Sequence, residues 1–365
     1  MTRREQQVMD LIRRNPLISQ KEIAEELGIS RSAVAGHVMG LVAKGFLKGR
    51  AYVINEEPFV AVVGGANIDI SAASTSELTI RDSNPGSINV SFGGVARNIA
   101  ENLARLGNNC SLIAAVGNDQ YGDILLRQSE DAGIDMQHVL RLDAAPTATY
   151  VSVLDPSGDV FVAVNDMAIV EHIKPELLYK RENMLREAQA IIVDTNLEPE
   201  SLLYIAGTCD DQPLFVDTVS VAKAPRILAC LDRVHTLKAT RLEAGALRGV
   251  ATPDNKGLPE IAAWLHEQGV ARIFITLGKD GVFYSQDGEQ GIETTMIPDQ
   301  GVVNASGAGD AFLAGVVHAW VNDWSHQKTI RFGVSAACVA LSHEATINPA
   351  MSANLVNKIY KGNYG

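Results

Sequence analysis

The chain has 365 residues, 46% hydrophobic and 20% charged, enough for one large and one small globular unit with a sizeable core. No apolar run approaches the roughly 20 residues of a membrane span, and the opening MTRREQQVMDLIRR lacks the apolar region of a signal peptide. The net charge of −12 is uneven: residues 1–50 hold nine Lys/Arg against five Asp/Glu, so only this segment suits a polyanion. Cys110, Cys209, Cys230 and Cys338 form no CxxC pair, which argues against a zinc site or disulfide framework and predicts a cytoplasmic protein.

In chain order, Val8, Leu11 and Ile12 make one helical face before Pro16. Ser19 with Glu22 is a capping box, and Ile23 and Leu27 follow on one face of a second helix, with Gly28 at the turn. Ser30 caps a third helix with a buried stripe of Val34, Val38 and Leu41. FLKGRAYVI then reads as two short strands around a basic turn. Residues 1–54 thus resemble the winged helix-turn-helix domains of bacterial regulators. By that resemblance the third helix enters the major groove of DNA with Arg31, Ser32, Ala35 and His37, while Lys48 and Arg50 meet phosphates. A small helical domain that only dimerises or packs on the rest of the chain is the alternative. Residues 55–58 read as a linker.

From Phe59 onward strand-like and helix-like segments alternate, an α/β pattern with a mainly parallel sheet flanked by helices. FVAVVGGANIDI begins as a continuous apolar strand, as expected for one buried on both faces. VARNIAENLARLG puts Ile99, Leu103 and Leu106 on one helical face, and CSLIAAVG, AIIVDTN, PLFVDTV and RIFITLG are further strands. Two segments, about 76–92 and 147–166, read instead as hairpins with turns at Asn84-Pro85-Gly86 and Asp155-Pro156-Ser157-Gly158. Together they predict a small separate sheet, a β-lid over the strand ends.

NASGAGDAFLAG carries the chemistry. Gly307, Ala308 and Gly309 leave the backbone open at the start of an apolar helix, where free N–H groups and the helix dipole attract anions. Asp310, in the first turn, is positioned to take a proton from a hydroxyl that attacks a phosphoryl group.

GGVARNIAENLARLG and NASGAGDAFLAG resemble the two signature regions of the ribokinase-like carbohydrate kinases, the PfkB family, over nearly all of residues 59–350. GGANIDI, RDSNPGSINVSFGG, AVNDM and HTLKATRLEA look most like its pseudouridine kinase branch. The resemblance implies a ribokinase-like α/β core with a β-lid over residues 59–365, ATP and Mg²⁺, and transfer to the 5′-hydroxyl of a ribonucleoside with Asp310 as general base. It places Asp69, at the end of the first strand, on ribose hydroxyls, Gly93 and Gly94 beside the sugar, and Asn98 and Asn196 in contact with it. Asn67 and Asp166 are further candidates for ribose or base. Thr276, Gly278 and Gly281 border ATP, and Lys238 is a charge partner of the phosphates or else a solvated lysine. Glu243 organises Mg²⁺ through water.

Two residues depart from the family pattern. Thr240 stands where the family's NxxE motif has Asn, and Ser306 replaces a Thr, keeping the hydroxyl. Other nucleosides or a pentose remain alternative substrates, as does a regulator whose kinase-like part only senses its ligand. A monovalent cation is left open. Exposed lid edges favour a homodimer.

Overall fold

The computed structural model describes residues 2–15, 18–44, 58–208, 212–251, 253–298 and 300–365. The chain divides into two compact units, Met1–Glu57 and Pro58–Gly365.

The first unit contains helices α1 (Arg3–Arg14), α2 (Gln20–Leu27) and α3 (Arg31–Ala43). The Ser19 box that starts α2 is formed: Glu22 N–H donates to Ser19 Oγ, and Ser19 N–H to Glu22 Oε2. An equivalent box, Thr2 with Glu5, starts α1. Val8, Leu11, Ile23, Val34 and Leu41 meet as the unit's core, so the three apolar stripes converge as expected. Val38 is only partly buried. Arg31 and Ser32 are exposed on α3, whereas Ala35 and His37 are half-buried. The expected wing, with Lys48 and Arg50, and linker residues 55–57 lie outside the described residues.

The second unit is built on a nine-stranded sheet, counted among the described residues, in the order β15-β14-β13-β12-β11-β10-β1-β4-β6. Its strands are β1 (Val60–Val63), β4 (Cys110–Ile113), β6 (Ile134–Asp135), β10 (Ala190–Asp194), β11 (Leu214–Asp217), β12 (Val234–Thr240), β13 (Arg272–Thr276), β14 (Val282–Gln286) and β15 (Glu289–Glu293). All pairs are parallel except β13–β14 and β14–β15, which close one edge as an antiparallel meander. Every residue of β1, β10 and β11 is buried because helices cover both faces, which explains their unbroken apolar runs.

Alternate residues feed two cores. Val63, Val193, Val216 and Leu237 face one side, with α6 (Pro175–Tyr179), α7 (Glu182–Glu187), α8 (Pro199–Thr208), α9 (Arg241–Arg248) and α10 (Leu258–Glu267). Val62, Ile192, Phe215 and Phe274 face the other, with α4 (Val95–Arg105), α5 (Gln120–Asp131), α11 (Ala308–Val321), α12 (His326–Leu341) and α13 (Ala353–Tyr364). A Cβ on Gly315 would lie 2.9 Å from the Gly333 Cα, so α11 and α12 approach at backbone distance and seat the α11 N-terminus against the strand ends.

The lid is a separate four-stranded sheet, β3-β2-β8-β9, of β2 (Asn67–Ser74), β3 (Gly86–Gly93), β8 (Thr149–Leu154) and β9 (Val160–Asp166). A short pair, β5 (Ala115–Gly117) with β7 (Leu140–Leu142), stands apart. Three expectations need correction. GGANIDI is not the tail of the first strand: β1 stops at Val63, and Asp69 lies on β2 of the lid. The first lid hairpin is β2–β3, with residues 75–85 as its loop, rather than a hairpin within 76–92. There the Asn84 side chain binds Thr79 N–H and C=O, so it braces a wide loop instead of making a tight turn. Finally, CSLIAAVG divides into β4 and β5, which belong to different sheets.

Candidate active site

The centre of the site is the start of α11. No side chain caps this helix. Gly307 precedes it at φ 76°, with its missing Cβ directed at the Thr346 carbonyl oxygen, so both backbone and space require glycine. The first helical bond runs from Ala311 N–H to Gly307 C=O, which leaves the N–H groups of residues 308–310 ahead of the ladder. Ala308, Gly309 and Asp310 line a cavity of about 620 Å³. Unpaired donors at the positive end of a helix, opening into a cavity, can accept an anion.

Asp310 connects this end to the other signature. Asn98, on α4, donates from Nδ2 to Asp310 Oδ2 at 2.9 Å, across 212 residues of sequence. Asn98 was expected to hydrogen-bond a sugar; in the structure this N–H is held by the acid instead. Burial, and then the Asp217 charge, raise the Asp310 carboxyl to about 7, although Lys238 and Asn98 pull the other way. A group at that value can exchange a proton near neutrality.

Lys238 is not a solvated lysine. It is 6% exposed, and its Nζ donates to Asp217 Oδ2 at 2.8 Å. Burial alone would lower its pKa, but Asp217 and Asp310 outweigh that and raise it, so it stays a cation. A Cβ on Gly309 would stand 2.7 Å from Lys238 Nζ, which puts the ammonium beside the helix N-terminus. Glu243 also lines the cavity. Its Oε2 accepts from Thr240 N–H and from Thr218 Oγ, both at 2.7 Å, and Thr240 Oγ accepts from Glu243 N–H. The TRLE segment is therefore a capping box at the start of α9, and the Thr240 hydroxyl is committed to the backbone.

The expected nucleotide residues Thr276, Gly278 and Gly281 line the same cavity. So does an apolar wall of Leu242, Ile297, Val302 and Leu341 that the sequence did not reveal. Thus one end offers donors and a cation, and the other an apolar wall.

At the lid, β2 pairs with β3 so that Asn67 lies opposite Gly93. Asn67 Nδ2 donates to Asp69 Oδ1 at 2.6 Å, and a side chain on Gly93 would collide with the Asp69 carboxylate. Burial raises the Asp69 carboxyl above its ordinary value. Gly94, at φ 97°, lies against the Gly65 carbonyl. Beneath it the buried Asp194 accepts N–H bonds from Gly65 and Ala96, tying the loop after β1 to the start of α4. Asn196 lies just beyond β10 and is 5% exposed. Asp166 is exposed at the end of β9 and lines a second pocket with Asn196, apart from the cavity of Asp310.

The structure thus joins Asp310, Lys238, Glu243, Thr276, Gly278 and Gly281 around one cavity, with Asn98 bonded to Asp310 and with Asp69, Asn67, Gly93 and Gly94 in a cluster at the lid. Arg31, Ser32 and His37 belong to the other unit. Sequence reading missed Asp194 and Asp217. The signal was present: both close apolar strands as VDT, and a carboxylate at the end of a doubly buried strand needs specific partners.

Residues 57–353 match the family model of pfkB family carbohydrate kinases, and residues 1–48 match that of winged helix-turn-helix DNA-binding domains. The chain is 38% identical over 355 residues to an uncharacterized sugar kinase of Escherichia coli, YeiI, covering 97% of this chain and 98% of that one. It is 39% identical over 308 residues to the pseudouridine kinase of the same organism, covering 84% and 98%. The structure of Arabidopsis thaliana ribokinase, complexed with ribose and ATP, superposes with a TM-score of 0.77 at 23% identity, covering 84% and 99%, and shares the fold.

Proposed function

The chain belongs to the pfkB family of carbohydrate kinases, and from that premise we propose that it transfers a phosphoryl group from ATP to the 5′-hydroxyl of a ribonucleoside, pseudouridine. The observation that carries this reading is Asp310: a buried carboxyl at an uncapped helix N-terminus, in a cavity, bonded to Asn98 of the first signature. The 39% identity to a pseudouridine kinase over nearly that whole protein supports the nucleoside.

Asp310 accepts the hydroxyl proton as the alcohol oxygen bonds to the γ-phosphorus and the bond to the β-phosphate oxygen breaks. The backbone N–H groups of Ala308, Gly309 and Asp310, with Lys238, hold the charge that spreads over the phosphoryl oxygens. Asp69 and Asn67 grip ribose hydroxyls, while Gly93 and Gly94 let the sugar approach the backbone. Leu242, Ile297, Val302 and Leu341 receive the adenine ring, bordered by Thr276, Gly278 and Gly281. ATP supplies the phosphoryl group, and Mg²⁺ supplies divalent charge that offsets the phosphates. Among the described residues no cluster of three or more His, Cys, Asp or Glu could hold a metal by itself. That fits an ion held mainly by phosphate and water, with Glu243 organising the water.

The first unit binds DNA through α3 in this reading, supported by the family match of residues 1–48 and by exposed Arg31 and Ser32. A homodimer formed through the lids is supported by Ile88, Val90, Phe161, Val162 and Val164, all exposed. Buried thiols at Cys110, Cys230 and Cys338 suit a reducing cytoplasm. A product-resolved screen of nucleosides and sugars with ATP and Mg²⁺ tests the assignment. We expect pseudouridine 5′-phosphate as the preferred product. If no compound is phosphorylated but a nucleoside alters DNA affinity, the chain is a sensor instead.

A further inference from the structure

Arg97 is a buried cation outside the cavity of Asp310. It is 2% exposed and precedes Asn98, the residue that holds Asp310, on α4. A guanidinium taken out of water is costly unless it is paired. Glu101 supplies the pair: it accepts from Arg97 Nη2 on one oxygen and from Arg105 Nε, at 2.8 Å, on the other. That carboxylate answers the charge of Arg97 but uses only one corner of its planar fork.

The other corners reach three further groups. Nε donates to Ser129 Oγ on α5 at 3.2 Å. Nη1 donates to the Phe92 carbonyl at 3.3 Å, and the guanidinium stands 5.5 Å from the centre of the Phe92 ring. Phe92 belongs to lid strand β3 and is followed by Gly93, which packs against Asp69. Nη1 also donates to Asn98 Oδ1 at 3.4 Å. An amide can be turned either way. With Oδ1 drawn to a cation, Asn98 presents Nδ2 to Asp310; reversed, it would set its oxygen against the carboxylate and its NH₂ against the guanidinium.

We infer that Arg97 is a positioning residue for phosphoryl transfer: its guanidinium fastens lid strand β3 to α4, fixes the direction of the Asn98 amide, and acts through that amide on Asp310. The inference rests on the kinase reading above and deepens it. A lysine cannot do the same, since one ammonium on a flexible stem can meet Glu101 but cannot hold Phe92, Ser129 and Asn98 in one plane. The charged groups facing Asp310 are Asp217, Lys238 and Asp194, and those facing Arg97 are Glu101, Arg105 and Asp69. A substitution at Arg97 leaves all six in place. The bond from Asn98 favours the ionised form of Asp310, so loosening it moves that carboxyl upward.

The test compares the full chain with Arg97→Lys, Asn98→Ala and the double variant. The first readout is the pH profile of kcat/KM for pseudouridine with ATP and Mg²⁺. We expect Arg97→Lys to move the acid limb up by about one unit, as for a lost hydrogen bond to a charged group. Asn98→Ala should move it as far, and the double variant no further, because both act through one bond. The second readout needs no substrate. The gain in melting temperature given by Asp310→Asn grows with pH and levels off at the folded value of the Asp310 carboxyl. In an Arg97→Lys background the levelling-off should move up by the same unit. Should Arg97→Lys not fold, Arg97→Met, which removes the charge and leaves Glu101 to Arg105, takes its place. An acid limb or a levelling-off that matches the parent's, or single shifts that add, overturns the inference. If no nucleoside is phosphorylated yet the levelling-off moves, the kinase reading fails and the hold of Arg97 on Asp310 stands.

Discussion

Replacing Asp310 by Asn should reduce turnover and stabilise the fold at once, with opposite consequences for the same carboxyl. The side chain is buried, and its carboxyl titrates at about 7 against an ordinary 3.8. A folded-state value above the unfolded one means the folded chain holds the proton more tightly. The resulting stability is complete below the unfolded value and is lost as pH rises through the folded one. At 1.36 kcal/mol per unit, ionising the group at about pH 8 costs the empty enzyme on the order of 4 kcal/mol. Asparagine never bears that charge, keeps an oxygen for Asn98 Nδ2, and leaves Lys238 its bond to Asp217. The variant should therefore melt higher at about pH 8, by roughly 2–4 °C for each kcal/mol realised. The advantage should fade towards about pH 3, below the unfolded value of 3.8, where both states of the parent are largely protonated. Without a base its turnover should fall by roughly 10²–10⁴. Scanning calorimetry at the two pH values and a product-resolved kinase assay read both effects. A melting difference that ignores pH, or undiminished turnover, would refute the reasoning.

Three further outcomes follow from the same geometry. The kcat/KM of the parent enzyme should fall on the acid side with an apparent pKa near 7, since the base works ionised; a flat profile between about pH 6 and 8 would remove Asp310 from that role. Gly309→Ala should push against Lys238 Nζ, 2.7 Å from the new Cβ, and raise the KM for ATP with only a small change in melting temperature, checked by initial rates. Removing residues 1–57 should abolish salt-dependent DNA binding in a mobility-shift assay and leave nucleoside turnover within about twofold, because the two units are compact separately.

How far the site could be read from the chain depended on how local each requirement is. NASGAGD was legible because an open helix N-terminus is written in consecutive residues. So were the Ser19 capping box and the β8–β9 turn, for the same reason. The lid was read only in part. Asp69 follows the first strand by a few residues, and nothing in GGANIDI marks where the chain leaves the main sheet. Asp194 and Asp217 went unread because their partners are distant in sequence: Gly65 and Ala96 for one, Lys238 for the other.

By itself the sequence determined the two units, the α/β class and the open helix end before Asp310, since periodicity, caps and small residues act through neighbouring backbone. Only the tertiary structure decided that Asn98 holds Asp310, that Lys238 is buried against Asp217, and that the acid titrates near neutrality. Burial and charge at short range set those properties, and distances between residues far apart in the chain exist only once it has folded.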